Sequence, residues 1–107
     1  MRKYLYENNF EIIDEALVKE GNKFYEIIYA KKGKAYIEKE IYYEIGQKLI
    51  ENQDPLLKEF IEFKIKTIKE ILDELENVET EKSLNRKEEL ESELVQLKEV
   101  LKEVEGN

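Results

Sequence analysis

Two groups of residues in this chain have side chains that could act on something else. One is a lysine run flanked by tyrosines, Tyr29-Ala30-Lys31-Lys32-Gly33-Lys34-Ala35-Tyr36; the other is a set of carboxylate pairs such as Glu88-Glu89 and Glu91 with Glu93. Ammonium groups beside aromatic rings are the mix with which proteins hold unpaired nucleic acid, cations against phosphate and rings against bases. Lys31, Lys32 and Lys34 are therefore the candidate RNA contact, and the plainer reading of the same three residues is a solubilising guard at the end of a strand. The carboxylates would serve acid and base catalysis only if burial or a shaped pocket separated their pKa values. Their spacing among Lys and Arg marks them instead as solvated helix faces.

Other chemistry is narrowed by what the composition lacks. With no Cys and no His there is no thiolate nucleophile, disulfide, zinc-thiolate site or imidazole proton shuttle. Gly21, Gly33, Gly46 and Gly106 stand singly, so neither phosphate-binding pattern, GxGxxG or GxxxxGK, occurs, and no EF-hand spacing exists. No catalytic, cofactor-binding or metal-ligating residue is assigned, and an enzyme made from carboxylates and Tyr alone has no arrangement to support it. No apolar run approaches the ~20 residues of a membrane helix, and Met1-Arg2-Lys3-Tyr4-Leu5-Tyr6 lacks the apolar stretch of a secretory signal. A cytoplasmic protein without membrane contact is the expectation.

The elements that must position these residues begin with a short helix over residues 2 to 9, stopped at Asn8-Asn9, since Asn tolerates the left-handed conformation found past helix ends. Phe10 to Val18 reads as a strand with Phe10, Ile12, Ala16 and Val18 on one face, interrupted by Asp14, and Ile13 and Leu17 on the other. Glu20-Gly21-Asn22 is a turn and Phe24 to Ala30 a second strand, giving a β-hairpin with apolar side chains on both faces. A hairpin alone in water is marginal, so something must cover it or pair with its edges.

Beyond the lysine run, Ile37, Ile41, Ile45 and Leu49 recur every four residues and predict a helix over Tyr36 to Ile50, interrupted by Gly46. Asn52-Gln53-Asp54-Pro55 is punctuation: Asp54 can cap the next helix and Pro55 suits its first position. From Leu56 to about Glu76 the residues Ile61, Ile65, Ile68, Leu72 and Leu75 are spaced 4, 3, 4, 3, the seam of a coiled coil. Leu90, Leu94, Leu97, Leu101 and Val104 repeat that spacing in a second helix, capped by Thr80 or Ser83. The short link forces the helices antiparallel. Leu57, Phe60, Phe63, Ile71, Val95 and Val100 lie off the seams and point to a third contact.

The formal charge of -8 belongs to this second half: residues 1 to 50 hold nine basic and nine acidic side chains, residues 51 to 107 nine and seventeen. Such a surface disfavours a grip on phosphate by those helices. The fold class is thus α+β, with residues 1-35 a helix and hairpin, 36-53 a connecting helix and 54-107 an antiparallel coiled-coil hairpin.

The helix, the strand Phe10-Glu11-Ile12-Ile13-Asp14-Glu15-Ala16-Leu17-Val18, the turn and the strand Lys23-Phe24-Tyr25-Glu26-Ile27-Ile28-Tyr29-Ala30-Lys31 look like the end of a class I methyltransferase sheet. With Asp54-Pro55-Leu56-Leu57-Lys58-Glu59-Phe60-Ile61, residues 2 to about 76 resemble the C-terminal part of the TrmK family of bacterial tRNA adenine-N1 methyltransferases. The resemblance implies a Rossmann-like domain that binds S-adenosylmethionine, followed by a coiled coil. It also implies that the cofactor loop, the acidic ribose-binding residue and the catalytic motif lie upstream of Met1, so no functional residue transfers to this chain. On that reading the chain is a non-catalytic segment contributing architecture, tRNA placement or oligomerisation, and its bare hairpin dimerises or swaps elements. The alternative is a stand-alone coiled-coil module that binds a partner helix.

Overall fold

A computed structural model describes residues 1-106 and contains α1 (Arg2–Glu7), β1 (Phe10–Glu20), β2 (Lys23–Lys32), a 3-10 turn (Glu40–Tyr43), α2 (Gln47–Glu51), α3 (Leu57–Leu75) and α4 (Glu81–Glu105). The chain is α+β, with one two-stranded antiparallel sheet, and divides into two units, Met1–Leu57 and a second beginning at Lys58. Among the described residues, no helix is long and apolar enough to cross a membrane.

In the first unit the hairpin turns on Gly21, whose φ of +60 opens a two-residue loop of the kind that matches strand twist when glycine comes first. The register runs from Phe10↔Lys32 to Glu20↔Lys23, with an irregularity between Ile12 and Asp14. There β1 advances two residues while β2 advances one, from Ala30 to Tyr29. The extra residue, Ile13, is a bulge, and it changes which side chains share a face. Phe10, Ile12, Glu15 and Leu17 now lie with Phe24, Glu26 and Ile28; Asp14, Ala16 and Val18 lie with Tyr25, Ile27 and Tyr29. The alternation expected from Phe10 through Ala16 and Val18 therefore fails at Ile13, and Leu17 is buried while Val18 is exposed.

The first of these faces is covered by α1 and by the segment containing α2, as Arg2 meets Glu15 and Glu26 and the Lys48 amide donates to Glu15 Oε2 at 3.2 Å. Ile41, Tyr42, Ile45, Leu49 and Leu57 are buried alongside Leu17 as this unit's apolar core. The continuous helix expected over Tyr36 to Ile50 is not formed. The chain makes a 3-10 turn, extends at Gly46 (φ -58, ψ 134) and then forms α2. The cause is steric: a Cβ at position 46 would lie within the carboxylate of Glu15, so the backbone passes over that side chain only because residue 46 is glycine.

Asp54 then fastens a helix start to the sheet. Its Oδ1 accepts the Leu56 amide at 2.9 Å, as a cap should, and its Oδ2 accepts the Leu17 amide of β1 at 3.1 Å. Asn52 adds a side-chain bond to Asp14 at 2.8 Å.

In the second unit, Phe60, Ile61, Ile65 and Ile68 are the buried positions of α3, and Leu90, Leu97 and Val100 those of α4. Val100, off the 4-3 spacing, is deeper than Leu101 on it. Thr80 is the cap of α4, its hydroxyl accepting the Ser83 amide at 3.2 Å. Lys58 at the start of α3 pairs with Glu105 at the end of α4 at 3.7 Å, so the helices run in opposite directions. Lys87 donates to the carbonyls of Glu76 and Val78 in the link that follows α3, which places a cation beside the C-terminus of that helix.

Candidate nucleic-acid interface

The lysine run leaves the sheet at Lys32. Lys31 stands opposite Glu11 in the register and pairs with it at 3.1 Å, whereas Lys32 stands opposite Phe10 and so on the other face. The Gly33 amide donates to the Asn9 carbonyl at 2.9 Å and closes the open end of the hairpin. Asn9 itself has φ 62, a left-handed conformation that asparagine accepts more readily than most residues. It follows Asn8, whose backbone and side-chain nitrogens both donate to the Tyr4 carbonyl and end α1.

After Gly33 the chain runs without regular structure, and Lys34, Tyr36 and Ile37 line one side of an open groove of about 420 Å³. Tyr6, Glu7, Asn9 and Tyr43 also line it. Tyr6 and Tyr43 pack edge to face, with ring centroids 5.9 Å apart and an interplanar angle of 69°. Burial, and then the negative charge of Glu15, push the Tyr6 phenol above its ordinary range. Tyr36 is 86% exposed.

The wall of the groove rests on a buried ion cluster. Arg2 Nε meets Glu15 Oε1 at 2.5 Å, Nη2 meets Glu26 at 2.7 Å, and Nη1 donates to the carbonyls of Tyr43 and Glu44 at 3.3 Å each. Burial alone would lower the Arg2 pKa, but Glu15 and Glu26 outweigh it and leave it raised. Glu15, matched by a guanidinium and by the Lys48 amide, is a structural carboxylate rather than an acid or base awaiting substrate. By holding the Tyr43 carbonyl from α1, Arg2 sets the distance between the two helical segments that carry Tyr6 and Tyr43.

The three lysines are thus separated by the fold. Lys34 lines the groove, Lys31 is engaged by Glu11, and Lys32 faces away from Lys31. Sequence reasoning missed Tyr6, Glu7, Asn9 and Tyr43, because the groove brings residues 6 to 9 against residues 34 to 43, between 25 and 37 positions away. The flanking Tyr36 was the available signal. Among the described residues no cluster of three or more His, Cys, Asp or Glu could hold a metal ion.

A model of the family described as TrmK, tRNA (adenine(22)-N(1))-methyltransferase, matches residues 1-99. No curated protein matches the sequence. Among solved structures, the chain is similar to the B. subtilis M1A22 tRNA methyltransferase TrmK, with TM-score 0.77 and 23% identity over 94% of this chain and 45% of that one. It is similar also to a Streptococcus agalactiae protein of the NADB-Rossmann superfamily, with TM-score 0.76 and 26% identity over 94% of this chain and 41% of that one. A third is the Streptococcus pneumoniae protein Sp1610 in complex with S-adenosyl-L-methionine, with TM-score 0.61, 23% identity and coverage of 94% and 41%. The chain spans less than half the length of each of these structures.

Proposed function

We propose, from the premise that this chain belongs to the TrmK family of tRNA (adenine(22)-N(1))-methyltransferases, that it is the C-terminal segment of such an enzyme and serves architecture and tRNA placement. The observation that carries the reading is the bare second face of the hairpin. Val18, Tyr25, Ile27 and Tyr29 share that face and are 40 to 60% exposed. A Rossmann-type sheet has helices on both faces, so a hairpin covered on one face only is what a piece of such a sheet would present. In this reading S-adenosylmethionine and the reacting adenine are held by the part of the enzyme that this chain does not span, and the setting is the cytoplasm, where tRNA is modified.

The antiparallel α3 and α4 form a coiled-coil hairpin in this proposal, supported by the burial of Ile61, Ile65, Ile68, Leu90 and Leu97. Their acidic surface turns phosphate away, which leaves Lys31, Lys32 and Lys34 as the tRNA contact. The isolated chain covers its bare face by pairing with a second copy or swapping elements; a light-scattering mass of one 12.9 kDa chain at all micromolar concentrations would remove that part.

Replacing the matching C-terminal segment of B. subtilis TrmK by this chain tests the central claim. The chimaera should transfer labelled methyl groups to tRNA and the truncated enzyme should not; full activity of the truncated enzyme, or none in a folded chimaera, overturns it. A gel shift with tRNA tests placement. Replacing Lys31, Lys32 and Lys34 by Ala should abolish a salt-sensitive shift, and equal behaviour of both proteins removes the lysines from the proposal. The second reading, a stand-alone module for a partner helix, draws on the exposed Leu84 and Val95 of α4, and an active chimaera would exclude it.

A further inference from the structure

We infer that the groove beside α1 accepts one unpaired RNA nucleotide, its base against Tyr36 and the Tyr6-Tyr43 wall and its phosphate at Lys34, an inference that rests on the proposed tRNA-handling role.

The dimensions fit: about 420 Å³ lies in the range of small-ligand sites, and the open side leaves a polynucleotide free to enter and leave. The tyrosines differ in what they can do. Tyr6 and Tyr43 are fixed against each other and form a wall, whereas Tyr36 presents nearly its whole ring to solvent from a segment without regular structure. A ring so placed is available for base stacking, and such stacking is indifferent to which base is stacked.

Charge and hydrogen bonding supply the selectivity. Among the described residues lining the groove Lys34 is the one cation, so a single phosphate is neutralised there rather than a stretch of backbone. Glu7 lines the same groove and brings an acceptor without a donor, while the Tyr6 hydroxyl and the Asn9 amide bring donors. A base with an exocyclic amine, adenine, cytosine or guanine, can offer Glu7 an amine N–H, whereas uracil offers only its N3–H, flanked by two carbonyl oxygens that the carboxylate repels. The groove therefore favours amino-bearing bases over uracil. Lys31, paired with Glu11 at the surface, is not among the residues that line the groove.

The test is fluorescence anisotropy with 5′-fluorescein hexaadenylate and hexauridylate, alongside the tRNA gel shift, on the full chain. Stacking worth about 1 to 3 kcal/mol predicts that Tyr36→Ala weakens hexaadenylate binding by roughly fivefold or more, and that Tyr36→Phe restores it. Lys34→Gln should weaken binding and reduce the logarithmic salt slope by about 0.7, the value for one phosphate on a single strand. Tyr25→Ala, an exposed ring on the sheet face away from the lysine run, should leave binding unchanged, and hexauridylate should bind more weakly than hexaadenylate. Wild-type affinity in Tyr36→Ala, equal affinity for the two oligonucleotides, or no binding of hexaadenylate by the wild type each overturns the inference. If Tyr36→Ala shifts tRNA as the wild type does while the triple lysine variant does not, the groove falls and tRNA placement stands; if neither variant changes the shift, both fall.

Discussion

In the first unit the contacts that fix the structure join residues far apart in the chain: Arg2 to Glu15 and Glu26, Lys48 to Glu15, Asp54 to Leu17, Asn52 to Asp14. In the second they are short-range or lie at the surface: Thr80 to Ser83, Arg86 to Glu89, Lys58 to Glu105. The difference follows from what each has to assemble. Two helices with apolar stripes need only to meet, and burial along their length does the rest. Two strands and several fragments of helix bury little each, so their mutual placement depends on a few polar groups that must all be matched. Damage should therefore be concentrated in the first unit and diffuse in the second.

The most damaging single change on this view is Arg2→Leu, which strands Glu15 without its counter-ion. Removing one partner of a buried pair costs about 3 to 5 kcal/mol, and thermal melts by circular dichroism should show a fall of more than 10 °C. The double variant Arg2→Leu with Glu15→Leu should recover part of that loss. Next comes Gly46→Ala, whose added Cβ has to displace the Glu15 carboxylate; overpacking of that kind costs about 1 to 3 kcal/mol, read as a lower urea midpoint. In the second unit Thr80→Ala removes the cap of α4 and should cost about 1 kcal/mol in the same titration. Lys58→Ala should have the smallest effect, under about 1 kcal/mol and vanishing in 1 M salt, since both partners of its 3.7 Å pair are half exposed. If the order of these losses between the units were reversed, the contrast drawn here would be wrong.

What could be seen in the sequence follows the same division. The strands around Gly21-Asn22, the stop at Asn8-Asn9 and the cap at Asp54 are local signals, and each has its counterpart in the structure. The second oxygen of Asp54 bonds a strand amide 37 positions earlier, and nothing near either residue announces it. Tyr36 to Ile50 misled for a related reason. Ile41, Ile45 and Leu49 are indeed all buried, but the four-residue recurrence recorded burial rather than a helix, and a 3-10 turn and α2 joined at Gly46 satisfy it equally well. Nothing near Arg2 in the sequence singles it out, yet it is among the most buried side chains of the first unit. The groove was half legible: its lysine and one tyrosine stand two positions apart in sequence, while the opposing wall is assembled by Arg2 and the close of the hairpin.

The bulge at Ile13 makes β1 a segment with two frames. Before it, even-numbered residues face the covered side; after it, odd-numbered ones do. Loss of the Ile13 codon would therefore remove the bulge and leave Glu15 and Leu17 on the covered side, because Ile12, Glu15 and Leu17 would then alternate regularly with Asp14 and Ala16. The same loss at Ala16, beyond the bulge, would turn Leu17 out to solvent and bring Val18 in its place. For this strand the site of a one-residue deletion decides its gravity, and length variation among homologous hairpins should be tolerated at Ile13 and at the Gly21 loop and avoided from Glu15 to Val18.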